Sequence, residues 1–280
     1  MNNVKTAALL GALTGIFLLI GGMAGGRSGM LIALVMAALM NFVSYWFSDK
    51  IVLRAYGARE LPESEAHRVH AMVRELCQGA QLPVPALYVF EHDSPNAFAT
   101  GRDPRQGVVA LSRGILNLMS EQELKGVIAH ELTHIVNRDT LLQTVAATLA
   151  GAIMFLAYQA RWFGVFAGGR DDDDRGGIVG LLVMAVLAPL AASLIQMAIS
   201  RSREYKADEG AARMTHQPEG LAAALEKLTA YAKRLRLPAS GQTAHLFIVS
   251  PFSGRSLMSL FSTPPPIEER VARLRAMRIA

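Results

Sequence analysis

The chain has 280 residues, 51% of them hydrophobic and 18% charged, with a mean hydropathy of +0.27 and a formal net charge of +5. That is too apolar for an ordinary soluble domain and too charged for a protein lying wholly inside a bilayer. The basic balance calls for no nucleic acid, because basic residues gather beside apolar segments and no basic stripe interleaved with aromatics is present.

Four segments are long enough to span a membrane: Ala7 to Gly25, Met30 to Phe47, Leu141 to Ala160 and Ile178 to Ser200. A short Gly-rich turn around Arg27 joins the first two, which predicts a helical hairpin. A cleaved signal sequence is the poorer reading of the first segment, since a second span follows at once. Tyr45, Trp46, Tyr158 and Trp162 lie near span ends and read as an interfacial belt. Lys50, Arg54 and Arg59 follow the second span, and Arg201, Arg203 and Lys206 follow the fourth. The loop between the third and fourth carries Arg161, Arg170 and Arg175 beside Asp171 to Asp174. This Lys/Arg bias places both termini, the segment between the second and third spans and the segment after the fourth in the cytoplasm.

Leu61 to Leu82 opens with Pro62 and Glu63 and carries Val69, Met72, Val73 and Leu76 on one side, the pattern of an amphipathic helix. Cys77 is the single cysteine, so no intramolecular disulfide forms, and the thiol reads as packing. Three short strands are predicted next, at Ala86 to Phe90, Ala97 to Thr100 and Gly107 to Leu111. Ser120 and Glu123 then form an S-x-x-E capping box that starts a helix at about Glu121.

That helix carries His130-Glu131-Leu132-Thr133-His134. Positions i and i+4 stand one above the other on a helix, so the two imidazoles converge on one point and can share a metal ion. Glu131 is rotated by roughly 100° from the first histidine. Its carboxylate can therefore reach the hydrolytic water rather than the metal. Two histidine ligands and one general base make the arrangement of a zinc peptidase.

A catalytic zinc of this kind needs a third protein ligand. Asn137 and Thr140 stand where the metzincin pattern requires Gly and His, which excludes that class. From Thr140 to Gly169 there is no Asp, Glu or His, and the next acids are Asp171 to Asp174 and then Glu204. The third and fourth spans carry the chain out and back, so the aspartate run lies across the membrane from His130. Glu204 returns to its side. Glu204 and Asp208 are again i and i+4 on one helical face, which suggests Glu204 as ligand and Asp208 as acceptor for the other N–H of a ligand histidine. Glu209 is the nearest competitor but points off that face. Further helices are predicted at Glu219 to Arg234 and Ile267 to Met277, separated by a loop rich in Pro, Ser and Gly.

His130 to His134, the later Ser202-Arg203-Glu204-Tyr205-Lys206-Ala207-Asp208, and Ser94-Pro95-Asn96-Ala97-Phe98-Ala99 together resemble the HtpX-type membrane metallopeptidases, relatives of the CAAX prenyl-protein endopeptidases. The resemblance covers essentially the whole chain. It implies one Zn2+ per chain, held by His130, His134 and Glu204, with Glu131 as base. It also implies a bacterial inner-membrane endopeptidase linked to stress and membrane-protein quality control. In such a zincin-like domain an edge strand pairs with extended substrate, and Asn96, Ala97 and Phe98 are the matching residues. One departure stands out. The family's C-terminal pattern has a His before two prolines, where this chain has Pro264. His245 is the substitute candidate for supporting the oxyanion, with Tyr205 or a backbone N–H of the Asn96 strand next, and Arg270 reads as structural.

The expected fold class is α+β, mainly helical, with four transmembrane helices and a cytoplasmic zincin-like metallopeptidase domain. Residues 1–48 form a transmembrane hairpin, 49–140 the part with the H-E-x-x-H helix, 141–200 a second transmembrane pair, and 201–280 the part that completes the peptidase. The expected partners are the lipid bilayer and misassembled membrane proteins. Three other readings compete. A non-proteolytic zinc scaffold or chaperone would have no need of Glu131. A prenyl-protein peptidase would need more than four spans to enclose its chamber. A transporter would need charges within its spans, and these hold almost none.

Overall fold

The apolar N-terminal region folds back on itself at two glycines. In a computed structural model that describes residues 2–146, 149, 201–235 and 265–278, α1 (Asn2–Ala55) is helical throughout except at Gly25 and Gly26. Gly26 has φ 56° and ψ −136°, a conformation closed to residues with a side chain. The two arms then run back along each other. Asn41 donates from Nδ2 to Thr14 Oγ1 at 2.9 Å and to the Leu10 carbonyl at 3.3 Å. Such polar pairs hold apolar helices in register where lipid gives no hydrophobic drive between them. Among the described residues one helix, Gly25–Phe47, is long and apolar enough to cross a membrane; Thr6–Leu19 is apolar but shorter. The expected count of four spans is therefore not reached in the described part, since the third and fourth fall almost wholly outside it. Leu31, Ile32, Val35 and Leu39 are exposed along the longer arm, a surface suited to lipid.

A four-stranded sheet follows, comprising β1 (Arg59–Glu60), β2 (Ala86–Phe90), β3 (Ala97–Thr100) and β4 (Val108–Ser112). Their order is β1-β2-β4-β3, with β2 and β4 parallel and the outer pairs antiparallel. β3 is thus an edge. The period-2 alternation of strands divides the sheet between two cores. Leu87, Val89, Ala97, Ala99, Val109 and Leu111 face the main core, while Phe90, Phe98, Val108 and Ala110 pack against Val52 and Leu53 at the end of α1. Tyr56 seals the second core, with ring centroids 5.2 Å from Phe90 and 4.9 Å from Phe98. The hairpin is joined to the sheet once more where the Arg102 guanidinium lies 4.3 Å from the Trp46 ring centroid.

The helices are α2 (His67–Gly79), α3 (Arg113–Leu118), α4 (Glu121–Val136), α5 (residues 139–146), α6 (Arg201–Thr215), α7 (Pro218–Leu235) and α8 (Ile267–Ala276). α2 is shorter than predicted, because Pro62 opens a turn: its carbonyl accepts from Glu65 N at 3.0 Å. Its buried face is the predicted one, extended by Cys77. Burial pushes that thiol up to about 11, in keeping with a packing role. α4 begins at Glu121 with both halves of the capping box in place: Glu123 N donates to Ser120 Oγ, and Ser120 N donates to Glu123 Oε2 at 2.7 Å. It runs through the middle of the fold, buried on nearly every side.

Candidate metal centre

Everything at the site hangs on how closely α6 approaches α4. α6 presents Ala207, Gly210, Ala211 and Ala212 to its neighbour, and a Cβ added at Gly210 would collide with Thr133. This small-residue face lets the two backbones come together and carries Glu204 and Asp208 up to the histidines. His130 Nε2 and His134 Nε2 lie 3.2 Å apart. Glu204 reaches both, with Oε2 at 3.5 Å from His130 Nε2 and Oε1 at 3.6 Å from His134 Nε2. An ion bound tetrahedrally at ~2.0–2.1 Å would hold its ligand atoms about 3.3 Å apart. The three donors already stand close to that spacing, and their type, two imidazoles and a carboxylate, suits a catalytic zinc site. His130, His134 and Glu204 could therefore hold a metal ion.

The ring nitrogens facing away from this point are also provided for. His130 Nδ1 lies 3.0 Å from Asp208 Oδ1, at an oblique approach. His134 Nδ1 lies 3.1 Å from Asp139 Oδ2. Asp208 is fixed in turn by Arg270 of α8, which donates from Nε to Oδ2 at 2.8 Å and from Nη2 to Oδ1 at 2.7 Å. The same guanidinium stands 3.5 Å from Glu204 Oε2. It is fully buried.

The electrostatics ask for a cation. Burial disfavours an imidazolium at His130, but the carboxylates of Asp208 and Glu204 outweigh it and raise the ring to about 9. Burial would likewise raise Glu204, yet His130, His134 and Arg270 bring it well below the usual carboxylate range. Among the described residues Glu131, Asp139, Glu204 and Asp208 gather with Arg203 and Arg270 around the imidazoles. A setting this rich in carboxylates suits a divalent cation. Glu131 behaves differently from the others. It is only 5% exposed, and burial raises its carboxyl above the ordinary range despite the histidines and the backbone of Ala99, which act against the rise. A raised carboxyl is suited to taking and returning a proton near neutral pH.

The remaining predicted site residues fare differently from one another. Asn96 is buried at the head of the edge strand, its N–H donating to Ser112 Oγ at 2.8 Å, and neither polar atom of its side chain has a partner among the described residues. Ala97 and Phe98 follow it, but their side chains are turned into the two cores, so only their backbone is available to a ligand. Tyr205 points elsewhere: its ring lies 3.9 Å beneath the Arg273 guanidinium and it interacts with Glu269. That removes it as an oxyanion donor. Glu209 is exposed and paired with Arg213 at 2.6 Å, off the ligand face as expected. His245, Pro264 and Asp171 to Asp174 lie outside the described residues.

Asp139 and the bridging role of Arg270 were missed by the sequence reading. An acid opening the next helix five residues after His134 was the available signal for the first. For the second there was none, because Arg270 is 62 positions from the aspartate it holds.

Residues 63–278 match peptidase family M48. A protein from Desulforapulum autotrophicum named Protease HtpX homolog is 55% identical over 276 residues, covering 98% of this chain and 89% of its own. A relative of the same name from Syntrophobacter fumaroxidans is 54% identical, covering 98% of each chain. The crystal structure of S. mikatae Ste24p is similar in fold with a TM-score of 0.52, at 17% identity, over 98% of this chain and 64% of that one.

Proposed function

The chain belongs to peptidase family M48 and is a membrane metalloprotease, and from this we propose a zinc-dependent endopeptidase that cuts misfolded or misassembled membrane proteins at the cytoplasmic face of a bacterial inner membrane. The observation that carries the reading is the convergence of His130, His134 and Glu204 within 4.8 Å, with Glu131 buried beside them. In this reading His130, His134 and Glu204 hold the ion, and Asp208 orients His130. Zinc, when bound, supplies a Lewis acid that polarises the scissile carbonyl and brings the pKa of water from 15.7 to about 7.

The chain's own residues supply the rest. Glu131 accepts a proton from the attacking water and returns it to the departing amide nitrogen, a transfer that its raised carboxyl favours. The outer edge of β3, which pairs with no other strand among the described residues, offers backbone groups to an extended substrate strand, which adds to the sheet as a fifth member. The amide of Asn96, without a partner among the described residues, stands at the head of that edge, ready to bond a substrate backbone group. His245 takes the part of the family histidine that Pro264 replaces.

Metal analysis of the purified chain tests the ligand set. The parent should hold one zinc per chain and Glu204→Ala far less. Full occupancy in that variant, or another metal in the parent's site, would contradict the reading.

A further inference from the structure

Asp139 lies outside the ligand set and is joined to it at one atom. It begins α5 and is 2% exposed, with Oδ2 3.1 Å from Nδ1 of His134. A continuous helix could not make this contact. Five residues along α4 would rotate the acid by roughly 140° away from the histidine. The chain instead breaks at Asn137 and Arg138, and Arg138 takes φ 55°, a left-handed conformation uncommon outside glycine. The break returns Asp139 beneath the imidazole.

The turn is then anchored on its far side. Thr140 Oγ1 donates to the Gly101 carbonyl at 2.9 Å, and Thr144 Oγ1 meets Thr100 Oγ1 at 3.1 Å, so α5 is tied to the end of the edge strand. Leu141, Leu142 and Val145 pack against Leu9 and Leu13 of the hairpin. The carboxylate is held from the membrane side and the strand side at once.

We propose that Asp139 is a positioning residue for the metal site, keeping the hydrogen of His134 on Nδ1 and the lone pair of Nε2 turned toward His130 and Glu204. The inference rests on the assignment of His134 as a ligand under the proposed function. A neutral imidazole carries one N–H, and an acceptor at Nδ1 decides which nitrogen has it. In a buried site without that acceptor the ring is free to adopt the other tautomer or to turn over, and either one withdraws Nε2 from the ion. Asp208 stands 3.0 Å from Nδ1 of His130 on another helix, so each histidine has its own carboxylate nearby.

Zinc affinity of the full chain in detergent, measured by competition with a chromogenic chelator, tests this without reference to turnover. Loss of such an outer carboxylate commonly weakens metal binding about 10–100-fold. Asp139→Ala should show a loss in that range, and Asp139→Asn, which keeps an acceptor oxygen but not the charge, a smaller one of at least ~3-fold. Thr140→Val removes one anchor of the same turn without touching the imidazole and should lose clearly less affinity than Asp139→Ala, because the carboxylate remains. Parental affinity in Asp139→Ala overturns the inference, and if that variant does not accumulate, parental affinity in Asp139→Asn does so. An equal loss in Thr140→Val also overturns it, because the effect would then be a general loosening of α5. A parent that binds no zinc is a different result, which removes the ligand assignment and this inference with it.

Discussion

Arg270 is fully buried, and a buried guanidinium is tolerated only where carboxylates meet its N–H groups. It meets two of them, Asp208 through both oxygens and Glu204 at 3.5 Å. Burial alone would lower its pKa, but Asp208 reverses that, so the charge is retained. Removing the cation leaves two acids facing each other in a buried site. Arg270→Met should therefore cost about 3–5 kcal/mol, read as a lower thermal midpoint together with a lower zinc content. Arg270→Lys should recover part of both, because an ammonium cannot reproduce the fork that grips Asp208. Parental stability in Arg270→Met would show that the guanidinium is not what holds α8 to the site. At this scale the sequence was legible wherever the chemistry is local. His130 and His134 are one turn apart, and so are Glu204 and Asp208, so helical spacing alone brings each pair together. Asp139 and Arg270 were hidden for the opposite reason: one depends on a broken helix, the other on the docking of a distant one.

The helices show the same division. Ser120 and Glu123 announce the start of α4 through a contact that spans only three residues, and the structure starts it there. Pro62 and Glu63 were misread as a helix start, because they look alike in a first helical turn and in the turn they form; α2 begins at His67. β1 escaped notice because two residues cannot display an alternation. It exists through its pairing with Tyr88 and Val89. The crossing of α4 and α6 is the most consequential feature that no local pattern reveals. Gly210 sits against Thr133 so closely that a methyl group forces one helix to move. Gly210→Ala should accordingly lower zinc content even though alanine favours the helix by roughly 1 kcal/mol. Thr133→Ala in the same chain should restore much of it by making room. Failure of the double variant to recover would mean that the contact between these helices does not set the reach of Glu204.

At the largest scale, the hairpin, the sheet edge and the cluster of His130, His134 and Glu204 form one connected frame among the described residues. The first arm of α1 packs against α5, α5 is bonded to the end of β3, and the last turns of α1 cover the outer face of the sheet. A substrate strand added at β3 would therefore lie beside Glu131, on the side of the fold tied to the membrane helices. The proposed orientation follows from the Lys/Arg bias and has a direct test in a Cys77→Ser background. A cysteine placed at Gly177 should react with an impermeant reagent added outside, and one at Lys206 should not. The reverse pattern would turn the protein over, and reaction at both would break the return of the chain to the side of His130.

In the proposed function a metal held by His130, His134 and Glu204 acts with Glu131 to hydrolyse peptide bonds. The most direct test compares cleavage of an unfolded membrane protein by the purified parent and by Glu131→Gln, each with zinc content measured on the same sample. The variant should keep its zinc and lose at least about 10²-fold in turnover, as expected when a general base is replaced by an amide. Near-parental cleavage by zinc-loaded Glu131→Gln would contradict the account.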